Sequence, residues 1–172
     1  MSTRNLTAVL VAISSIAAIP PTPVLAQQLS GRPTDKKTIV FVCEHGSAKS
    51  VIAAAHFNDL AQRNGIPYIA TARGINPEKE IPPYIRAGLT RESLDIKGWQ
   101  PRPFAQQDAV RAERVITLGC ALPSSVSVRP NRLQNWNDVP FPRDNYRNAS
   151  QAIAGKVASL LRELADTQKQ WP

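Results

Sequence analysis

The sequence predicts an α/β fold: an open, mostly parallel four-stranded sheet with helices on both faces. Residues 38–42 form a β-branched and aromatic run without polar alternation, which is typical of a strand buried on both faces of a parallel sheet. Strand-like and helix-like segments alternate along the chain, as in βαβ units. Near the C-terminus, apolar side chains recur at helical spacing, which indicates one face packed on a sheet.

The elements that we can locate follow one another without internal repeats. The first strand is followed by a helix that ends at Asn64-Gly65, a common helix stop. In chain order, we predict a strand at 38–42, a helix at 50–64, a strand at 68–72, a polar helical stretch at 105–114, a strand at 115–118 and a long final helix at 147–165. Ligands of such folds bind beyond the carboxyl ends of the strands, where Cys43 stands.

The first 26 residues are typical of a signal peptide. Arg4 precedes an uncharged apolar run, and Val24-Leu25-Ala26 places small residues where a signal peptidase cleaves. The run of about 14 residues is shorter than the roughly 20 that a membrane-spanning helix needs. We therefore predict a signal peptide at 1–26, a linker at 27–37, one domain at 38–167, and a periplasmic or secreted mature protein.

Charge and composition exclude several function classes. The formal net charge is +8, but lysines and arginines are scattered and form no basic run, so we expect anionic small substrates and no nucleic-acid partner. His45 and His56 are the only histidines and lie in no ligand cluster, so we expect no metal and no cofactor. The rest of the chain has no stretch apolar enough for stable membrane insertion.

Residues 43–50 join a buried strand to a helix and carry the chemistry of the chain. Unpaired amides and the dipole at a helix N-terminus favour an oxyanion, and the same field favours a cysteine thiolate at Cys43. Lys49 can pair with the bound anion, and the Ser50 hydroxyl can donate to the thiolate. The expected oxyanion-binding residues are Glu44, His45, Gly46, Ser47 and Ala48.

The motif V-F-V-C-x5-K-S resembles that of the low-molecular-weight protein tyrosine phosphatases and of the arsenate reductases of the same fold, whose loop reads C-x5-R-S. Three further segments, Ala72-Arg73-Gly74, 89–96 and 115–120, are similar and fall in the family's order. The resemblance implies that Cys43 attacks phosphorus, that the amides of 44–50 bind its oxygens, that Ser50 assists the thiolate and that no metal takes part.

The sequence departs from the family pattern at two catalytic positions. Lys49 stands where the family has arginine, which keeps the charge but loses the planar fork that grips two oxygens. The family's general acid belongs to an Asp-Pro pair on a late loop, and the nearest match here is Asp138-Val139-Pro140. We predict Asp138 as the acid, with Asp144 as the alternative, and Trp136 as a candidate wall for an aromatic substrate.

Cys120 leaves a redox function open. It stands where the arsenate reductases of this fold have a cysteine that resolves the first, so it is a possible redox partner of Cys43. Those enzymes often have a further Cys-Pro pair, where this chain has Leu122-Pro123. We therefore predict an exported cysteine-dependent phosphatase that hydrolyses phosphate monoesters. The alternatives are an arsenate reductase that uses Cys43 and Cys120, and a non-catalytic oxyanion-binding module.

Overall fold

The structure, a computed structural model, describes residues 36–169, with side chains through residue 167. The predicted signal peptide and almost all of the predicted linker lie outside the described residues. The regular elements are β1 (Lys37–Cys43), α1 (Lys49–Arg63), β2 (Tyr68–Gly74), α2 (Pro83–Arg91), α3 (Gln106–Arg111), β3 (Ala112–Thr117), a 3₁₀ turn (Pro130–Arg132), β4 (Leu133–Asn135) and α4 (Tyr146–Lys169).

The four strands form one parallel sheet in the order β2-β1-β3-β4, which confirms the predicted fold class. At the carboxyl end of β1, Cys43 is paired with Gly74 of β2, and Val42 with Thr117 of β3. The chain leaves β1 for β2 on one side and later crosses to β3 on the other side. The crevice at the end of β1 is therefore the switch point at which open α/β sheets bind ligands.

The first strand is buried on both faces, as the unbroken apolar run predicts. Ile39 and Phe41 belong to the larger core, which α1, α2 and α4 cover, and both are fully buried. Val40 and Val42 point to the opposite face and pack against Ala109 of α3 and its neighbours. Because side chains alternate across a strand, this burial fixes the register of β1 and the direction of Cys43 at its end.

Two of the α-helices and strands, α2 and β4, were not located from the sequence, and several predicted boundaries differ by one to four residues from those observed. α2 has nine residues and begins at Pro83, and β4 has only three residues. Both elements are too short for their apolar spacing to identify them from the sequence. The predicted helical stretch 105–114 ends earlier: α3 stops at Arg111, and Ala112 already belongs to β3. None of the described helices is long and apolar enough to cross a membrane.

A polar network joins α1, α4 and the end of α2. His56 Nε2 lies 2.8 Å from Ser150 Oγ, and the Ser150 hydroxyl donates to Glu92 at 2.8 Å. The Tyr146 hydroxyl donates to the same Glu92 oxygen at 3.2 Å. Burial lowers the pKa of His56, and the nearby Glu92 only partly opposes this effect. His56 is therefore a packed structural residue.

This network predicts a pH-dependent stability. Below the ordinary histidine pKa of about 6.5, the unfolded chain binds a proton that the folded chain resists, because the pKa of His56 is lowered on folding. The free energy of unfolding should thus fall as the pH drops from about 6.5 towards the lower folded-state value. Urea denaturation between pH 8 and 5 tests this, with His56→Gln expected to flatten the dependence. An identical slope in the variant would contradict it.

Candidate active site

The loop between β1 and α1 forms a backbone cradle. Ser47, Lys49 and Ser50 are buried, and Gly46 adopts a φ of +62°, which glycine reaches without strain. The N-cap residue of α1, Ala48, makes no side-chain capping bond, and the first turn of α1 contains no acidic residue. The amides at this helix start are thus left to an anion, in the arrangement that favours phosphate-like groups.

Gly74, the last residue of β2, packs closely against Gly46 of the loop between β1 and α1. A Cβ at Gly74 would lie 2.7 Å from the Gly46 nitrogen, and a Cβ at Gly46 would lie equally close to the Gly74 nitrogen. Both contacts are with backbone, which cannot rotate away. The sequence showed Gly74 only as part of the similar segment Ala72-Arg73-Gly74; its role as the surface that shapes the cradle comes from the structure.

We expect Gly74→Ala to damage both folding and anion binding. Forcing a methyl group into this contact should lower the free energy of unfolding by about 1 to 3 kcal/mol, as overpacking typically does. It should also weaken phosphate binding. Gly155→Ala is the matched control, because a Cβ at Gly155 in α4 meets nothing within 4 Å. Denaturation and phosphate titration of both variants measure the effect; equal behaviour would show that the Gly46–Gly74 contact does not shape the cradle.

Segment 75–78 braces the cradle along its length. The amides of Ile75, Asn76 and Glu78 donate to the carbonyl oxygens of Cys43, Glu44 and His45, at 3.1, 2.8 and 3.0 Å.

Two side-chain bonds add to this brace. Asn76 Nδ2 donates to Glu44 Oε1 at 2.6 Å, and the buried Ser47 hydroxyl donates to Glu78 Oε2. Sequence reasoning missed Glu78, since the residues it joins are separated by 31 positions.

Cys43, the candidate nucleophile, lies at the start of the cradle. Cys43 is buried with 5% of its surface exposed, and its Sγ lies 3.1 Å from Ser50 Oγ. This places the two side chains as predicted from the motif, in a geometry in which the hydroxyl can donate to a thiolate. A thiolate beside helix N-terminal amides is the form that attacks an electrophile.

Lys49 lines the cavity and contacts the loop between β4 and α4. Its Nζ donates to the Val139 carbonyl at 3.2 Å and lies 4.1 Å from the centroid of the Phe141 ring. Gly119 leaves room for it, since a Cβ there would lie 3.3 Å from Nζ. Burial lowers the pKa of Lys49, and the neighbouring Cys43 and Cys120 oppose this shift. The Lys49 ammonium thus lines the cavity and also interacts with residues 139–141.

Cys120 lies just beyond β3, next to the strand that carries Cys43. Its Sγ is 3.5 Å from the Val42 carbonyl oxygen, and both cysteines are free thiols. Burial and the proximity of Cys43 raise the pKa of Cys120 to about 11. Cys120 is therefore held as a thiol near neutral pH, and it is half-buried behind the cradle.

A cavity of about 630 Å³ opens above the cradle. Its walls comprise Cys43, Glu44, His45, Ser47, Ala48, Lys49, Glu78, Pro82, Tyr84, Leu118, Gly119, Phe141, Pro142, Arg143 and Asp144. The predicted binding residues Glu44, His45, Ser47 and Ala48 are among them. Tyr84, in the first turn of α2, and Phe141, in the loop before α4, also line the cavity, and no sequence pattern pointed to either.

The structure does not bring Asp138 into the cavity. Its side chain is 71% exposed and lies 2.9 Å from Lys156, on the side of α4. The hydrogen bond from Lys156 holds the pKa of Asp138 below its usual range, whereas a general acid must keep its proton near neutral pH. The structure therefore disfavours Asp138 as the general acid, because its side chain lies outside the cavity. The alternative, Asp144, lines the cavity. Trp136 is buried against Phe41, with ring centroids 5.5 Å apart, and does not line the cavity.

Within residues 36–169, no three histidine, cysteine, aspartate or glutamate side chains are grouped so that they could hold a metal ion.

Comparisons with known proteins agree with this geometry. The family described as low molecular weight phosphotyrosine protein phosphatase matches residues 38–169. YfkJ from Bacillus subtilis is 24% identical with a TM-score of 0.68, covering 83% of this chain and 100% of that chain.

Two further solved structures share the fold. A thioredoxin-dependent arsenate reductase from Corynebacterium glutamicum is 20% identical with a TM-score of 0.67, covering 79% of this chain and 65% of that chain. A low molecular weight protein tyrosine phosphatase from T. tengcongensis is 16% identical with a TM-score of 0.68. The match covers 74% of this chain and 99% of that chain. No curated protein sequence matches the chain.

Proposed function

Because the chain belongs to the low molecular weight phosphotyrosine protein phosphatase family, we propose that it hydrolyses phosphate monoesters through a phosphocysteine intermediate on Cys43. The observation that carries this proposal is the Cys43 thiol, 3.1 Å from the Ser50 hydroxyl at the base of the backbone cradle. The solved tyrosine phosphatase of the same fold supports the choice of phosphate monoesters as the substrate class.

The chemistry takes two steps. In the first, Cys43 Sγ attacks phosphorus, the bond from phosphorus to the ester oxygen breaks, and the leaving oxygen takes a proton from Asp144. In the second, water attacks the phosphocysteine, Asp144 takes a proton from that water, and Sγ leaves as the thiolate that Ser50 supports. Lys49 and the loop amides hold the equatorial oxygens, where charge spreads in the transition state.

The direct test is to trap the intermediate. Reduced protein mixed with p-nitrophenyl phosphate and quenched in acid should gain the mass of one phosphoryl group on Cys43. A burst of p-nitrophenolate should precede steady turnover. If the protein binds phosphate but shows neither a burst nor an adduct, it is a non-catalytic oxyanion-binding module.

Asp144→Asn should slow hydrolysis in a way that depends on the leaving group. We expect a loss of about a hundredfold for alkyl phosphates, at the low end of what general acid catalysis contributes, and a smaller loss for p-nitrophenyl phosphate, whose leaving group needs little protonation. Asp138→Asn is the matched control, because Asp138 lies outside the cavity. Kinetics with both substrates measure the effect; equal losses in the two variants would reject Asp144 as the acid.

Cys120 supports arsenate reduction as a second candidate. In that reaction Cys43 attacks arsenate and displaces water, and Cys120 then attacks Cys43 Sγ. The sulfur–arsenic bond breaks, its electron pair stays on arsenic as arsenite, and a Cys43–Cys120 disulfide forms. An external dithiol must then reduce the protein. The thioredoxin-dependent arsenate reductase of this fold supports the idea.

The two candidates are separable with one variant. Cys120→Ser should abolish arsenite production and disulfide formation but preserve hydrolysis of p-nitrophenyl phosphate. Arsenite release by wild-type protein in stoichiometric amounts without added reductant would favour the reductase. If wild-type protein releases no arsenite but hydrolyses p-nitrophenyl phosphate, the result would favour the phosphatase.

We further propose that the protein is exported and acts in the periplasm or outside the cell. This rests on Arg4, the apolar run after it and the small residues at Val24-Leu25-Ala26. N-terminal sequencing of protein isolated from its native host should find Gln27 as the first residue. Soluble cytoplasmic protein that starts at Met1 or Ser2 would reject this.

A further inference from the structure

Glu78 places a fixed carboxylate at the wall of the cavity. Its amide donates to the His45 carbonyl at 3.0 Å, and its Oε2 accepts a hydrogen bond from the buried Ser47 hydroxyl. Its other oxygen, Oε1, has no hydrogen-bond partner among the described residues. The carboxylate is therefore anchored beside the anion cradle, with one oxygen available to a molecule in the cavity.

The charges at the cavity mouth are distributed unevenly. Glu44, which accepts a hydrogen bond from Asn76, and Glu78 both line the cavity and both belong to or contact segment 75–78; among the described residues, Lys49 and Arg143 are the lysine and arginine in the lining. Arg143 and Asp144, which are consecutive in the chain, also line the cavity, and their charges offset each other. This acidic wall stands in a chain whose net charge is +8, so it is not a consequence of overall composition.

An acidic wall beside an anion cradle imposes a requirement on the substrate. A phosphate dianion held by the loop amides and Lys49 is repelled by Glu78, because the Glu78 carboxylate is hydrogen-bonded to Ser47 of the same loop. A cationic nitrogen close to the phosphoryl group reverses this effect, because it can pair with the available carboxylate oxygen. A neutral or acidic neighbour cannot.

We propose that Glu78 is a specificity-determining residue that selects phosphate monoesters carrying a cationic nitrogen close to the phosphoryl group, an aminoalkyl phosphate being the simplest example. The inference rests on the proposed function, since it takes the cradle as the site of the phosphoryl group. Glu78 pairs with the ammonium while the loop amides and Lys49 hold the phosphate.

Non-hydrolysable ligands test this without requiring turnover. Three phosphonates of similar length serve as probes: 2-aminoethylphosphonate, 3-phosphonopropionate and propylphosphonate. Isothermal titration of reduced wild-type protein should give a Kd for the cationic ligand about tenfold lower than for the anionic one, with the neutral ligand between. Raising the ionic strength should shrink this ratio.

Glu78→Gln is the informative variant, because the amide oxygen can still accept from Ser47 while the charge is lost. The ratio between the cationic and anionic ligands should collapse towards one. Glu80→Gln, which removes an exposed charge two residues away and outside the cavity lining, should preserve it. Because the ratio compares ligands in one protein, general damage to the loop does not change it.

The outcomes separate the two proposals. Equal affinities in wild type, or a preference that survives Glu78→Gln, would overturn the inference even if p-nitrophenyl phosphate is hydrolysed. If no phosphonate binds, the cradle is not an oxyanion site and both proposals fail. A preference for the ammonium ligand that Glu78 controls, without any phosphatase turnover, would support the inference and reject the hydrolysis.

Discussion

Cys43→Ser is expected to abolish hydrolysis while leaving phosphate binding in place. A serine hydroxyl can keep the hydrogen bond that Cys43 makes to Ser50 at 3.1 Å, and it fills nearly the same volume. It does not ionise near neutral pH, and Asp144, the base that we assign, acts on water in the second step. Removing the nucleophile of an enzyme that works through a covalent intermediate lowers kcat by a factor on the order of 10⁶.

The measurement is p-nitrophenyl phosphate turnover beside a phosphate titration. Wild-type affinity for phosphate in the variant would show that the cradle has survived, so that the lost rate belongs to the nucleophile. Substantial residual turnover in Cys43→Ser would mean that the reaction does not pass through a phosphocysteine. The reduced state must be held throughout, because a disulfide would mask the same thiol.

Local sequence patterns were sufficient for the part of the fold that places the nucleophile. Residues 39–42 are all apolar, so their burial on both faces follows from the pattern, and Cys43 follows directly. The change in period and the Gly-containing turn before it led us to predict a helix start at Ser50, one residue after the observed start at Lys49. These signals are local, and the loop from Cys43 to Ser50 could therefore be recognised as one unit.

The walls of the cavity depend on contacts that no local pattern contains. Glu78 meets Ser47 across 31 positions, and Lys49 meets Val139 across 90. The choice between Asp138 and Asp144 depends on how the loop after β4 turns over the sheet, and that loop contains Pro140 and Pro142 without a periodic signal. We predicted Asp138 because Asp138-Val139-Pro140 is the nearest match to an Asp-Pro pair. In the structure, Asp138 instead pairs with Lys156 outside the cavity.

Lys49→Ala should lower kcat/KM by about 10² to 10³, the usual loss when one donor to a developing oxyanion is removed. Lys49 is the only lysine at the cavity wall, and its Nζ otherwise contacts the Val139 carbonyl and the Phe141 ring. Phosphate binding should weaken as well, because the ground-state anion loses the same charge. Steady-state kinetics and phosphate titration measure the two effects.

Lys49→Arg should act in the opposite direction and raise the rate. A guanidinium can place two parallel N–H groups on two equatorial oxygens, whereas an ammonium acts as a point charge on a flexible stem. One added charge-assisted hydrogen bond is worth about 1.5 to 3 kcal/mol, which corresponds to roughly ten- to a hundredfold in kcat/KM. The planar group can also stack on Phe141, which lies 4.1 Å from the present ammonium.

The gain from Lys49→Arg should appear in kcat more than in phosphate affinity. The guanidinium stabilises the charge on the equatorial oxygens mainly in the transition state. Lys156→Arg, the same substitution at a lysine that pairs with Asp138 outside the cavity, is the matched control and should leave the kinetics unchanged. If neither Lys49→Ala nor Lys49→Arg changes the rate, the ammonium does not face the anion. In that case Lys49 serves to hold residues 139–141 in place, and the cradle amides alone bind the oxyanion.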